Sequence, residues 1–502
     1  MTMVWIANQR DAAEQAFADT RAVLSGGISL RDPIALSVRL GDLARSNGLL
    51  SLEANLKALE QYSRLIHMGR QTTRSLAFTT LAADILSGYI MLDRRARVWG
   101  RLTQPQDWEW QHERSAARIR DAAATLRGTL IKACQFASTR PDILPAAYVR
   151  TFATLQDHVP AYPWKEIRRA ITRELHQKPE AVFARIEPHP IASASIAQVH
   201  RAWLPDGRRV AVKVQYPDIA GIMTTDLTIL QQIVHEIARF VPDVQLQPIL
   251  DHLKETLPLE LDFQREARAM ESLRAALQHR SDVLIPEVIP DLSTRRLLVT
   301  EFVEGIKITD SAALESAGIA PKEVARLLND VYAEQIFRLG WLHADPHPGN
   351  LLVQVTPGPE PRLVLLDHGL TVPLKPELVE ALGEMVTALL NGDFTQLRRA
   401  LDKAGMHLDA THDVTTLLQL VGVLMGGEQD SAATSTAAVG QQLGKSIGHI
   451  PTDLILVGRA LGLLDGITKQ LDPSMNAVEA IAGYVAAANL AAANLAAPSE
   501  AR

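Results

Sequence analysis

Thiol chemistry is almost absent from this 502-residue chain, which carries one cysteine, Cys134. An internal disulfide is excluded, a multi-cysteine zinc site cannot be built, and a reducing compartment is implied. An excess of positive charge is also missing. Lys and Arg number 51 against 57 Asp and Glu, the net charge is -6, and the basic residues are dispersed. Nothing is arranged to neutralise a phosphate backbone, so nucleic acid is not expected as a partner. The first residues, MTMVWIANQR, reach Arg10 after a short apolar run, without the long apolar core of a secretion signal. The expectation is a cytoplasmic protein.

Long hydrophobic runs are scarce as well, and only two segments approach the roughly 20 apolar residues that a membrane-spanning helix needs. Residues 75–92, SLAFTTLAADILSGYIML, include Asp84 and several hydroxyls, which predicts a buried helix of a globular domain. Peripheral contact with the inner face of a membrane stays open for this segment. Residues 480–498 are mostly alanine and include Asn489 and Asn494, too weakly apolar for a span.

What is present is a 47% hydrophobic, 22% charged composition, enough for a large core and more than one domain. From 36 to 102 apolar residues recur every three or four positions, which predicts packed helices. Helical patterning continues over 111–152 and is broken at TRPDILP, where Pro141 and Pro145 end one helix and start another. Between 196 and 214 the period shortens to two, and Asp206-Gly207 marks a tight hairpin. Long helices are expected over 227–277 and a strand over 295–303, stopped by Glu304 and Gly305. Two short strands follow at 351–353 and 362–367, separated by the proline-rich VTPGPEP; the rest is helical. This order suits a two-lobed phosphoryl-transfer enzyme.

That chemistry needs cations for the phosphates, carboxylates for metal ions and a group that orients the attacking oxygen. In VAVKV, 210–214, alternation sends Val210, Val212 and Val214 to one face and Ala211 and Lys213 to the other, so a small residue for an adenine stands beside an ammonium for phosphates. An exposed lysine on an edge strand is the plain alternative. In ELDFQREARAM, 260–270, a helix would place Asp262 and Glu266 on one face and Glu260 on another, which implies two different partners. A solvated acidic face is the alternative there.

In GWLHADPHPGNLLV, 340–353, Asp345 and Asn350 stand five apart, and Asp367 follows beyond the next strand. Together they could converge on one or two magnesium ions and a nucleophile. His343 and His347 suggest zinc, but prolines flank His347 and no third strong ligand is evident. His343 is therefore expected to be a core histidine whose ring bonds loop backbone.

The glycines of a phosphate-covering loop are also missing. PIASASIAQVHRA, 190–202, has alanine and serine in their place, which predicts a stiffer loop. In TLIKACQFASTRPDILP, 129–145, Lys132 and Gln135 share a helical face and could simply point to solvent.

These stretches resemble the UbiB/AarF family of atypical kinases. The family's K-x-G-Q-x-x-S-x-R-x-D-x-x-P motif is matched by Lys132, Gln135, Ser138, Arg140, Asp142 and Pro145, with Cys134 in the glycine position. Its alanine-rich loop is matched by ASASIAQVH and its E-x-D by Glu260 and Asp262, so that the resemblance covers about 111–400. It implies an α+β, protein-kinase-like two-lobed fold, a small antiparallel sheet lobe plus a helical lobe, with an N-terminal helical extension. The implied divisions are the extension at 1–110, family-specific helices at 111–185, a kinase-like N-lobe at 186–304, a C-lobe with the catalytic loop at 305–400 and a C-terminal helical region at 401–502.

By the same resemblance, ATP or ADP would lie against Ala192, Ser193, Ala194, Ser195, Ala211 and the backbone of Glu301 and Val303. Lys213 would hold phosphates and pair with Glu266, while Asn350 and Asp367 would hold Mg2+. Asp345 would be the acid/base or a second metal carboxylate. Lys132, Gln135, Glu260 and Asp262 would be regulatory, with Lys132 paired to Glu260. The family is associated with ATP hydrolysis and with ubiquinone or other isoprenoid lipid metabolism, so lipids and lipid-pathway proteins are the expected partners. A restrained, nucleotide-gated scaffold and a small-molecule kinase of the aminoglycoside or choline type are the alternatives.

Overall fold

The structure is a computed structural model that describes residues 70–98, 104–126, 128–138, 144–156, 161–240, 246–355, 360–406, 451–475 and 480–486. Helices expected over 36–69, motif positions Arg140, Pro141 and Asp142, and the alanine-rich patch beyond 486 lie outside these residues. The chain divides into two compact units. The first is Met1–Ser138, Pro145–Val159 and Asp218–Lys254; the second is Thr139–Leu144, Pro160–Pro217 and Glu255–Arg502.

The described part of the first unit is helical: α1 (Arg70–Val98), α2 (Pro105–Leu126), α3 (Thr129–Ala137), α4 (Ala146–Ala153), α7 (Ile219–Phe240) and the start of α8 (Gln247–Glu260). Pro145 is the N-cap of α4, as the break at TRPDILP predicts. The segment 75–92 falls within α1, where Phe78 is buried but Met91 is exposed and most other described side chains are half-covered. The expected buried helix is therefore only half-buried, and its Asp84 pairs with Arg118. Arg74 grips the buried Asp226 through two bonds of 2.7 and 2.6 Å. The Tyr89 hydroxyl lies 2.5 Å from His112 Nδ1 and 2.7 Å from the Tyr148 hydroxyl.

On α3, Cys134 is 2% exposed, and burial pushes its thiol well above the usual range. The site has thus accommodated a larger side chain where the motif has glycine. Cys134→Gly is expected to lower the unfolding free energy by about 2 kcal/mol, through the loss of helix propensity and of buried volume. An unchanged urea midpoint would refute this.

In the second unit, β1 (Arg185–Ile186), β2 (Ala192–Ser193), β3 (Ala197–Trp203), β4 (Arg209–Gln215) and β6 (Leu297–Glu301) form an antiparallel sheet, ordered β1-β3-β4-β6 with β2 also on β3. The β3–β4 hairpin turns where Asp206-Gly207 predicts, and Gly207 adopts φ +89°, a left-handed angle that glycine takes without a Cβ clash. A second sheet joins β5 (Val283–Leu284), β10 (Arg362–Leu365), β9 (Leu351–Gln354) and β7 (Ile306–Lys307). A third pairs β8 (Trp341–His343) with β11 (Thr371–Pro373). Gly305 lets β7 approach β9, since a Cβ there would stand 2.9 Å from the Leu352 Cβ.

Around these sheets stand α5 (Trp164–Leu175), α6 (Pro179–Val182), α9 (Phe263–Ala276), α10 (Ser311–Ser316), α11 (Pro321–Phe337), α12 (Pro376–Asn391), α13 (Phe394–Lys403) and α14 (Thr452–Leu471). The most deeply buried helix is α11, whose Val324, Leu328, Val331 and Tyr332 are fully covered.

One sequence expectation fails here. Residues 260–270 are not a single helix, because α8 ends at Glu260 and Asp262 becomes the N-cap of α9, accepting bonds from Gln264 N at 3.0 Å and Arg265 N at 3.3 Å. A short carboxylate satisfies the unpaired amides of a helix start better than it serves mid-helix. Asp262 therefore does not share a helical face with Glu266. Asp262 and Glu260 flank the break instead.

Candidate functional site

Strand β4 buries Val210, Val212 and Val214 and leaves Ala211 and Lys213 on its other face, as alternation requires. The Lys213 ammonium lies 2.8 and 3.0 Å from the two carboxylate oxygens of Glu266 and 3.0 Å from Asp367 Oδ2. It also sits 5.2 Å from the centre of the Phe263 ring. Glu266 reaches it from the first turn of α9, so the Asp262 cap that starts this helix also places the carboxylate. Burial works against the ammonium charge, but Asp367 and Glu266 outweigh it and hold Lys213 protonated. Burial pushes the Glu266 carboxyl up to about 7, against the pull of Lys213 and helped by Asp367. Glu266 is almost fully covered, whereas the Asp367 side chain is 41% exposed and can meet a ligand.

Asp367 has φ +46°, a left-handed angle that costs a non-glycine residue free energy. Its surroundings hold it there. His343 Nε2 donates to the Leu366 and Asp367 carbonyls at 3.2 and 2.9 Å, and His343 Nδ1 accepts the Tyr332 hydroxyl at 2.9 Å. Gly369 N donates to Asp367 Oδ1 at 3.2 Å. The His343 ring is buried, as a core histidine bonded to loop backbone should be. It packs edge-on to His368, 5.0 Å between centres. Burial, with His343 beside it, lowers His368 to about 3, so this ring stays neutral.

The loop between β8 and β9 is fixed mainly through backbone. His347 N donates to the Asp345 carbonyl at 2.7 Å, and Asn350 Nδ2 reaches the same carbonyl at 3.3 Å. Leu366 N donates to the Asn350 carbonyl at 2.8 Å, which ties this loop to the residue before Asp367. With Nδ2 engaged, the Asn350 amide presents its oxygen. The Asp345 carboxylate is held from elsewhere, by Arg459 Nη2 of α14 at 2.8 Å from Oδ1.

The alanine-rich stretch is a pinned hairpin. Ala192 pairs with Val199, which pairs with Lys213, so that Ala192 and Lys213 occupy one row of the sheet two strands apart. The Ser193 hydroxyl lies 2.8 Å from the Tyr216 hydroxyl, which donates to the Ala194 carbonyl at 2.9 Å, and Ala194 N donates to the Ala197 carbonyl at 2.8 Å. Ser195 is buried in the turn. Stiffness is the outcome, as the lack of glycine suggests. At the end of β6, Glu301 N is committed to the Glu287 carbonyl and Phe302 N to the Arg209 carbonyl, while among the described residues Val303 N has no such bond. Lys132 and Gln135 are half-buried on α3 of the first unit.

Residues 154–401 match the ABC1 atypical kinase-like domain. The chain is 32% identical over 371 residues to AarF domain-containing protein kinase 1 of Gallus gallus, covering 72% of each. It belongs to the UbiB/AarF family of atypical kinases. Its fold is accordingly protein-kinase-like, of the α+β class, with the antiparallel sheet carrying Lys213 and the helical part carrying the Asp345 loop. A relative in Xenopus tropicalis, also named AarF domain-containing protein kinase 1, is 36% identical over 288 residues, and the match spans 57% of this chain and 55% of that one. Among solved structures the chain is similar to the complex of Rv3197 with erythromycin from Mycobacterium tuberculosis, with TM-score 0.47 and 23% identity over 69% of this chain and 89% of the other. Among the described residues, no helix is long and apolar enough to cross a membrane.

Of the family positions, Lys213, Glu266 and Asp367 come together, and Asn350 is tied to the strand that leads to Asp367. Sequence reasoning missed Tyr332 and Arg459. Tyr332 offers no signal beyond a buried aromatic, but Arg459 is the lone charge in the apolar run ILVGRALGLL, 455–464.

Proposed function

We propose that this chain binds ATP or ADP with Mg2+ and acts as an ATP-dependent phosphotransferase or ATPase. The observation that carries the reading is the Lys213 ammonium held between Glu266 and Asp367. In that place it would meet phosphate oxygens, with Ala192 to Ser195 above them and Ala211 beneath an adenine whose edge bonds Val303 N. Mg2+ fits the amide oxygen of Asn350 and the exposed carboxylate of Asp367, since this ion commonly takes one or two protein oxygens and completes its shell with phosphates and water. The ion would neutralise charge on the phosphates.

In transfer, an acceptor hydroxyl or water forms a new oxygen–phosphorus bond to the γ-phosphoryl group, whose bond to the β–γ bridging oxygen breaks to release ADP. The acceptor's proton passes to Asp345. The acceptor class proposed is an isoprenoid lipid precursor or a protein of that pathway, in the cytoplasm or at the inner face of a membrane. It rests on the family's association with ubiquinone metabolism.

Thermal unfolding of the full chain with ATP or ADP, with and without Mg2+, tests the binding. A nucleotide at 100 times its dissociation constant stabilises by about 2.7 kcal/mol. No stabilisation by either nucleotide would end the reading. Stabilisation without any ATP turnover would favour the gated scaffold, and transfer to amines or alcohols the small-molecule kinase.

A further inference from the structure

Every residue of the loop 344–350, ADPHPGN, lacks a fixed positive charge, although phosphoryl transfer gathers cations around the reacting centre. The structure supplies one from outside the loop. Arg459 lies 2.8 Å from Asp345 Oδ1, with the two side chains 17% and 30% exposed, and it is the side chain among the described residues that bonds this carboxylate. Its helix is firmly seated. Leu454, Val457, Ala460, Leu464 and Ile467 of α14 are buried, and Thr468 Oγ1 accepts a 2.9 Å bond from Asn329 Nδ2 of the buried α11. A guanidinium on so fixed an element does not follow the carboxylate; it dictates where the carboxylate stands.

We infer that Arg459 is the positioning residue of Asp345. The Asp345 backbone is set by His347 and Asn350, but its side chain has free rotation about χ1 and χ2 unless something holds it. Arg459 takes Oδ1 and leaves Oδ2 to receive the acceptor's proton. The role rests on the phosphotransfer reading of this site. It separates binding from turnover, since the nucleotide ligands proposed above are other residues.

The test compares wild type, Arg459→Gln, Arg459→Lys, Asp345→Asn and the Arg459→Gln/Asp345→Asn double variant in the full chain, in single-turnover ATP hydrolysis with Mg2+. Arg459→Gln should lower the rate about 10- to 100-fold, with ATP affinity within about twofold of wild type, because misplacement of a reacting group by about 1 Å costs up to about 100-fold. Arg459→Lys should recover part of the loss. In the Asp345→Asn background, Arg459→Gln should change the residual rate less than about twofold, a non-additivity that a general folding defect would not produce. A loss that multiplies in the double variant, a rate increase in Arg459→Gln, or an equal loss of ATP affinity would each overturn the role. The thermal-shift measurement keeps this apart from failure of the underlying reading. Absence of nucleotide binding in wild type sinks both, whereas intact binding with no Arg459 effect, or with no wild-type turnover to be positioned, sinks this inference alone.

Discussion

Asp367→Asn is expected to remove the magnesium-dependent part of nucleotide stabilisation, while Asp345→Asn leaves it intact and lowers turnover about 1,000-fold. The two carboxylates are near in sequence order but differ in surroundings. Asp367 accepts Lys213 and Gly369 N and is well exposed, so an ion brought in with the nucleotide can reach it. The Asp345 carboxylate is bonded to Arg459 and, among the described residues, to no other side chain. A positioned proton acceptor is worth about 100- to 10,000-fold in rate, which sets the size of the second effect. Asparagine suits the first experiment because it tolerates the left-handed backbone of residue 367 and so removes charge without refolding the turn. Calorimetric titration of ATP at zero and millimolar Mg2+ reads the first outcome, and single-turnover hydrolysis reads the second. If Asp367→Asn binds Mg2+–ATP as wild type does, the assignment of Asp367 to the metal is wrong.

The second large effect concerns Lys213→Met. Removing one partner of a buried ion pair costs about 3–5 kcal/mol, because the remaining charge is stranded. Here Glu266 would be stranded beside Asp367, and its response adds a pH dependence. In wild type the Glu266 carboxyl stands at about 7, above the ordinary value of 4.5. The folded protein therefore holds this proton more tightly than the unfolded chain. Its contribution is fully present below about 4.5 and is lost as pH rises through about 7, so stability falls across that window. Lys213 opposes the rise; without it the carboxyl moves higher and the fall continues to higher pH. The penalty of Lys213→Met should thus be larger at pH 8 than at pH 5.5. Glu266→Gln, which has no charge to strand, should flatten the profile in both backgrounds. Urea unfolding at four pH values checks this, and a penalty independent of pH would show that Glu266 is not the stranded group.

Much of this arrangement was legible in the sequence. The period-two run at 210–214 oriented Lys213, Asp206-Gly207 gave the hairpin, and the spacing of Asp345, Asn350 and Asp367 anticipated their loop and strands. These are local patterns, and local physics decides them. The misjudged stretch, 260–270, carries a helical composition on both sides of Asp262, and only the side chain's bonds to two amides reveal the break. The extent of the strand at 295–303 was overdrawn for a similar reason, since β6 spans Leu297–Glu301 and backbone pairing stops where β4 does. Strands β8 and β11 were invisible because each has three residues and makes sense only as the other's partner. Arg459 is the plainest case. It stands 114 residues from Asp345, and no spacing rule spans that distance.

The left-handed backbone at Asp367 also constrains how this lineage could decay. A copy that no longer needed the carboxylate would face a position where a Cβ-branched or bulky side chain is strained, whatever its chemistry. Asparagine and glycine fit that angle at little cost, and valine or isoleucine does not. Drift after loss of activity would therefore run through a narrow exit, and inactive descendants should carry Asn or Gly there far more often than the genetic code alone would give.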